Sequence, residues 1–420
     1  MPWSRRVLVR IVLLAMLVIV PAASCQRPAD LGAELNTIVG PYRFSVVAWE
    51  ACALLGVGCS DAPPLDGIAG LDDATALETF FTLAEAQRAV EEQMWIASEE
   101  GLAELWEHLD AIQAQRAALR SQVETTIARQ VHDALDREGI WHPFQRYLAL
   151  PLRFPPVGLR LDNPPTLLVI SPRERIESVR EVLLVQGMAA PTRNEIETAV
   201  AALGYSALVV DLGGLAVLYP PLIDARAPLE WTIETAIHEW LHQYLAFTPL
   251  GFRYVLDLAG VRPGYEIATM NETVVSMVAQ ELCQTVLEVY HSGPPPAAAA
   301  ADPAPEAAPK APPDRALFNR IMRETRLQVD ALLADGYVDE AEAYMEYQRL
   351  YLASQGFYIR KLNQAYFAFY GSYADAPTSV DPIGEEMRAL RRQVASPREF
   401  LDAASTLTDR TALQKWLEAD

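Results

Sequence analysis

The sequence predicts an α+β fold, mostly helical, in which a small mixed sheet sits beside one motif-bearing helix and long helices frame both. Three observations predict it. Residues 72–137 contain one glycine and no proline, and their apolar residues recur at three-to-four spacing. Residues 150–220 change to short β-like runs punctuated by Asp, Asn, Pro and Gly. From residue 228 onward, helix-length segments bounded by proline or glycine return.

The chain of 420 residues is long enough for two or three folding units, and 51% of it is hydrophobic, so it can bury a core. Its net charge of −21 argues against nucleic acid as a partner, because phosphate binding needs a basic patch. The start reads as an export signal. Arg5, Arg6 and Arg10 precede an apolar run from Ile11 to Val20, and Ala22-Ala23-Ser24-Cys25 closes it. The run falls short of the roughly 20 residues that span a bilayer. Small residues before a cysteine resemble the bacterial lipoprotein processing site, although such sites usually carry leucine where this chain has Ala22. That resemblance implies a lipoprotein-type signal peptide over 1–25 and a membrane surface as partner through a lipid on Cys25. Simple secretion and an uncleaved anchor are the other readings. Cys52 and Cys59 are close enough to pair in an oxidising compartment, or are two separate thiols; Cys283 reads as core.

An N-terminal helical region is expected over 26–149. It holds a tether over 26–35, a helix from Leu35 to Leu55 and a Gly/Pro/Asp-rich loop over 56–71. Asp72 to Arg137 then forms one long helix or a hairpin broken near Gly101. The stripe Leu102, Leu105, Leu109, Ile112, Leu119, Val123, Ile127, Val131, Leu135 reads as core packing. His108, His132 and His142 have no neighbour at metal-ligand spacing.

The core region is expected over 150–292. Val157–Leu161 and Thr166–Ser171 read as strands joined by the turn Asp162-Asn163-Pro164-Pro165. A helix is expected over Arg173–Leu184, and another from Thr192, capped by its own hydroxyl with Glu195 three residues on, to Leu203. Ala207–Leu212 and Leu215–Tyr219 read as strands around Gly213-Gly214. A helix follows from Pro228 and ends before Pro249; the next runs from Tyr265 to Tyr290. Residues 293–313 are a Pro/Ala-rich linker. The C-terminal helical region, 314–420, is expected to hold helices over Arg315–Ala334, Asp339–Phe369, Pro382–Gln393 and Pro397–Ala419, with Asp335-Gly336 as the first turn.

The chemistry begins at His238-Glu239-Trp240-Leu241-His242. On a helix the two imidazoles lie one turn apart on the same face and can grip one metal ion, with the glutamate beside them free to act on water. With six histidines in the chain, composition alone yields this pattern in roughly one such chain in 200. A catalytic zinc site takes three protein ligands and leaves a fourth position open. The third ligand is expected from Glu272, in Met270-Asn271-Glu272-Thr273 on the next helix.

His-Glu-x-x-His followed on a later helix by Asn-Glu resembles the gluzincin metallopeptidases, the thermolysin-like clan. The flanking Thr235-Ala236-Ile237 and the segment from Ile359 to Gly371 also look like an uncharacterised group of exported bacterial proteins. The gluzincin resemblance covers some 40 residues, or about 100 with the preceding strands, and is specific for metal rather than for substrate. It implies a zincin-like core, Zn2+ held by His238, His242 and Glu272, and Glu239 as general base in peptide hydrolysis. Where the clan has an aspartate four residues after the glutamate ligand, this chain has Ser276; another carboxylate, with Glu234 and Asp257 as candidates, or a backbone carbonyl would replace it behind a histidine. The Gly-x-Met-Glu-Asn signature of one aminopeptidase group is absent. Tyr290, His291, Tyr366, Tyr370 and Tyr373 are candidate oxyanion donors, with Tyr366 and Tyr370 assigned as catalytic. Leu215–Tyr219 would be an edge strand that pairs with extended substrate, its two glycines either allowing close approach or forming a plain hairpin turn. The expected function is a zinc peptidase at the bacterial envelope, acting on peptide or protein. The alternative is a non-enzymatic envelope lipoprotein or scaffold with a structural or vestigial metal site.

Overall fold

The computed structural model describes residues 29–49, 70–94, 99–148, 152–258, 261, 264–292 and 314–418. The signal segment with Cys25, the pair Cys52 and Cys59, and the 293–313 linker lie outside those residues. The mostly helical α+β class holds. Among the described residues no helix is long and apolar enough to cross a membrane.

Of the helix expected over Leu35–Leu55, residues 35–39 end a helix that starts earlier, inside the expected tether, residues 46–49 are helical again, and 50–55 lie outside the described residues. Helix α1 spans Ala29–Val39 and gives way to a 3-10 turn at Gly40–Tyr42, because Pro41 disfavours helical geometry in the residue before it. Helices α2 (Asp73–Met94) and α3 (Glu99–Arg137) form the hairpin, with Gly101 inside α3. Asp72 starts α2 by accepting from the amides of Ala74 and Thr75, both at 3.1 Å. Leu119, Val123, Ile127, Val131 and Leu135 are buried in the main core, as their spacing predicted.

Strands β1 (Arg160–Asp162), β2 (Thr166–Pro172), β3 (Arg180–Leu184), β4 (Tyr205–Asp211), β5 (Gly214–Leu215) and β6 (Leu222–Asp224) make two small sheets. One is antiparallel in the order β3-β2-β4; the other is mixed, with β6 parallel to β1 and antiparallel to β5. Of the helix expected over Arg173–Leu184, residues 173–179 are irregular chain and 180–184 are instead β3. Its residues pair with β2 from Leu184↔Thr166 to Arg180↔Ile170, so tertiary pairing overrides a weak local helical preference. Helix α4 (Ala190–Ala201) begins two residues before Thr192, with Pro191 in its first turn and no side-chain cap.

Helix α5 (Leu229–Leu245) carries the histidine motif and α7 (Tyr265–Tyr290) carries Glu272. Between them lies α6 (Pro249–Leu258), which the sequence reading left out. Pro249 opens this helix as well as following the previous one, since its fixed φ suits a first helical position. The C-terminal region holds α8 (Arg315–Ala334), α9 (Val338–Ser354), α10 (Gln364–Tyr370), α11 (Pro382–Arg392), α12 (Pro397–Ala404) and α13 (Arg410–Glu418). The single helix expected over Asp339–Phe369 breaks at Gly356, whose φ of +89° ends α9. Asn363 then caps α10 by accepting from the Tyr366 amide at 2.9 Å. The helix expected over Pro397–Ala419 also divides. Ser405 turns its carbonyl to the Leu250 amide, and Asp409 caps the next helix.

The main core gathers α5 and α7 with α2, α3 and α11–α13. The antiparallel sheet packs one face on α1 and α4 and the other on α10. A buried carboxylate clamps these layers together. Glu197 of α4 is fully buried, accepts from the Val209 amide at 2.7 Å and pairs with Arg360 Nη1 at 2.9 Å and Lys361 at 3.3 Å. Removing Glu197 leaves the buried Val209 amide without its acceptor, while Lys361 and the exposed Arg360 keep access to solvent. Glu197→Ala is therefore expected to cost about 1–3 kcal/mol of unfolding free energy, read from the midpoint of urea denaturation.

Candidate metal centre

Helix α5 buries Ile233, Ile237, Trp240, Leu241 and Tyr244 in the core. Trp240 Nε1 also donates to the Pro155 carbonyl at 2.9 Å, which fixes the rotation of the helix about its axis. That rotation leaves His238 and His242 half-buried on one face, ring centroids 4.7 Å apart. Helix α7, apolar on most sides, turns Asn271 and Glu272 towards them.

Three donor atoms converge. His238 Nε2 and His242 Nε2 are 3.1 Å apart, and Glu272 Oε2 is 3.4 Å from each. A small cation in tetrahedral coordination, with bonds of about 2.0–2.1 Å, holds its ligand atoms about 3.3–3.4 Å apart. The triangle therefore has the dimensions of one face of such a site. Glu272 Oε2 is buried without a hydrogen-bond partner, while Oε1 accepts from the Tyr254 hydroxyl at 2.7 Å. The oxygen facing the imidazoles is the one left for a metal. Asn271 Oδ1 lies 3.0 Å from His242 Nδ1 and accepts its proton, leaving Nε2 with the lone pair a metal needs. His238, His242 and Glu272 could hold a metal ion.

Electrostatics agree with this reading. Burial alone would raise the Glu272 pKa, but the two histidines outweigh it and hold the carboxyl well below its usual range. Burial alone would lower His242, but Glu272 outweighs it and lifts the imidazole to about 9. Without a metal, the proton on His242 is what neutralises Glu272.

Glu239 lies beside the trio and is 8% exposed. Burial raises its pKa against the opposing pull of the imidazoles, and the Ala216 amide donates to it. Gln243, one turn further along α5, donates to the carbonyls of Ala216 (2.9 Å) and Leu218 (2.8 Å). The chain after β5 is thus stapled to the motif helix. This is why the strand expected over Leu215–Tyr219 shortens to Gly214–Leu215. The adjacent glycines serve this packing. A Cβ on Gly214 would lie 2.2 Å from Glu239 Oε1, and one on Gly213 would lie 2.2 Å from the Trp231 ring. They give room to side chains of α5 rather than forming a plain turn.

Of the tyrosines singled out from sequence, Tyr373 reaches the site, its ring 6.0 Å from that of His238. Tyr366 and Tyr370 pair with each other at 4.4 Å, and Tyr366 packs on the antiparallel sheet; neither is placed with the trio. Tyr290 donates to Asp133 and His291 contacts Gln130. Both lie at the far end of α7, about 27 Å along the helix from Glu272. Asp257 accepts from the Gly264 amide at 2.8 Å and so serves the loop before α7. Glu234, one turn before His238, is within its electrostatic reach. Ser276 Oγ donates to Asp375 at 2.8 Å. Sequence reasoning missed Tyr254, Gln243 and Asp375. Only Gln243 carried a signal, its four-residue spacing from Glu239 on the same helix face.

The chain matches no family model, no curated protein and no solved structure. The functional reading rests on the site.

Two outcomes test this geometry. A metal needs neutral imidazoles, so uptake below about pH 9 must expel the His242 proton. Apparent affinity should then rise about tenfold per pH unit across the neutral range and level off above the His242 pKa, read by chelator competition. Gly214→Ala should push Glu239 out of its seat and leave metal affinity within about threefold of wild type, because no ligand is touched.

Proposed function

We propose that the chain is a zinc peptidase of the gluzincin type, tethered at the bacterial cell envelope by a lipid on Cys25. The observation that carries this reading is the three-ligand triangle with Glu239 pinned beside it. Two imidazoles and one carboxylate suit zinc, and the site's dimensions fit its bond lengths. When bound, zinc supplies a Lewis acid that acidifies water and polarises a carbonyl.

The chain's own groups supply the rest. Glu239 takes the proton of the attacking water and returns it to the leaving amine. Its upward-shifted pKa brings it closer to neutrality, where a general base works best. Tyr254 and Tyr373 both titrate well above the usual tyrosine range, first through burial and then through the charge of Glu272. They remain hydroxyl donors. Tyr254 is committed to Glu272, so Tyr373 is assigned to the oxygen that gains charge in the transition state. β5 is the edge of its sheet and packs against α5, so its free side can pair with an extended peptide without reading its sequence. The described residues offer three ligands in one group and no fourth, which supports an enzyme over a structural metal site.

Metal analysis of the mature protein should return about one zinc per chain. Glu239→Gln should keep that zinc and lose hydrolysis of a mixed peptide pool by about 10²–10⁴-fold. A variant that digests the pool as fast as wild type rejects Glu239 as base and, with it, the peptidase reading.

A further inference from the structure

The turn over 141–148, shortly after α3, leaves its large apolar side chains in solvent. Tyr147 is 80% exposed and Leu148 51%; Trp141 and Phe144 are exposed as well. Single exposed apolar residues are ordinary, but such a concentration in one turn marks a contact surface. The turn is internally bonded. Gln145 Oε1 accepts from the Trp141 amide at 2.8 Å, and the Gln145 amide donates to the His142 carbonyl at 3.1 Å. The Tyr147 and Leu148 amides donate to the Phe144 carbonyl at 2.9 and 2.8 Å, and Phe154 N closes the base on the Trp141 carbonyl at 2.9 Å. These amides are satisfied without water, which lowers the cost of moving the turn into an apolar medium. The turn is also fixed to the motif helix. Tyr244 of α5 donates to the His142 carbonyl at 3.3 Å, and Phe144 packs on Phe247, two residues past that helix, with ring centroids 6.3 Å apart.

Charge selects the partner. The chain carries −21 overall, yet between Glu138 and Asp162 it holds no acidic residue and three arginines, Arg146, Arg153 and Arg160. The stretch between Glu239 and Asp257, which supplies Phe247 and the exposed Phe252, has no acidic residue either and adds Arg253. Asp136 and Asp402, brought up by α3 and α12, are already paired with Arg153 and Arg398. Arg146 is exposed between Phe144 and Tyr147. Aromatic rings with an arginine among them suit the headgroup layer of a bilayer, where the rings lie at the boundary and the guanidinium meets phosphate.

We infer that the turn over 141–148 is a membrane contact, with Tyr147 and Leu148 entering the interface of an anionic bilayer and Arg146 meeting lipid phosphate. Because the turn is fixed to α5, the contact sets how His238 and His242 face the surface. The inference rests on the membrane location proposed above, but not on the lipid at Cys25 and not on hydrolysis.

The test uses the chain from residue 26, which holds every described residue and carries no lipid. It is floated with vesicles of phosphatidylcholine, with and without phosphatidylglycerol. Wild type should float with the phosphatidylglycerol vesicles, and less so as salt rises. Tyr147→Ser/Leu148→Ser should weaken that partitioning about 10- to 100-fold. Arg146→Gln should weaken it about fivefold on phosphatidylglycerol vesicles alone. Both variants should keep the melting and zinc affinity of wild type, since the altered side chains are exposed. Wild type that floats with neither kind of vesicle overturns the proposal, as does a double variant that partitions within about twofold of wild type. Light scattering that finds wild type paired with a second copy, and the double variant monomeric, also overturns it by making the turn a protein interface. Exported protein whose mass shows no lipid would reject the tether proposed above and leave vesicle binding by this turn standing.

Discussion

Glu272 holds a negative charge inside the protein, and the surrounding architecture answers that charge. A buried carboxylate is tolerated when other groups neutralise and hydrogen-bond it. Here one oxygen takes the Tyr254 hydroxyl and the other faces two imidazoles. To bring these groups together, α5 and α7 must cross with a set rotation. The packing of Ile233, Ile237, Trp240, Met270, Val274 and Val278 sets it. Helix α6 is needed because it carries Tyr254. The core is thus organised around a charge that a proton or a divalent ion can satisfy.

The motif helix also supports its neighbours. Glu239 and Gln243, four residues apart, reach the same segment after β5, one accepting an amide and the other donating to two carbonyls. Glu239 is therefore held by backbone from a different part of the chain. This restricts its rotamer and keeps water from solvating the carboxylate on that side. The two glycines belong to this arrangement, since backbone cannot approach so closely where a Cβ intervenes. The same economy recurs on α7, where Thr273 and Ser276 hold the segment carrying Tyr373 and Asp375.

Much of the helical frame was legible in sequence because its signals are local. Leu119, Val123, Ile127, Val131 and Leu135 repeat with the helical period, and all five are buried. Tyr265–Tyr290 begins and ends where the pattern says. Where local signals conflict with pairing, the reading fails. Arg180–Leu184 has an unremarkable composition and becomes a strand because β2 offers it a ladder. The stretch from Asp339 to Phe369 keeps a helical pattern through Gly356, yet one positive φ ends the helix there.

His238, Glu239 and His242 were determined by the sequence alone, because four-residue spacing on a helix places side chains on one face whatever surrounds them. Glu272 followed from its position on a second helix by resemblance. Which tyrosine meets the imidazoles and why two glycines lie beside Glu239 were decided by tertiary structure. Tyr373 and Gly214 reach the site from segments distant in sequence. Such proximity depends on how sheets and helices pack, and no periodicity along the chain encodes it.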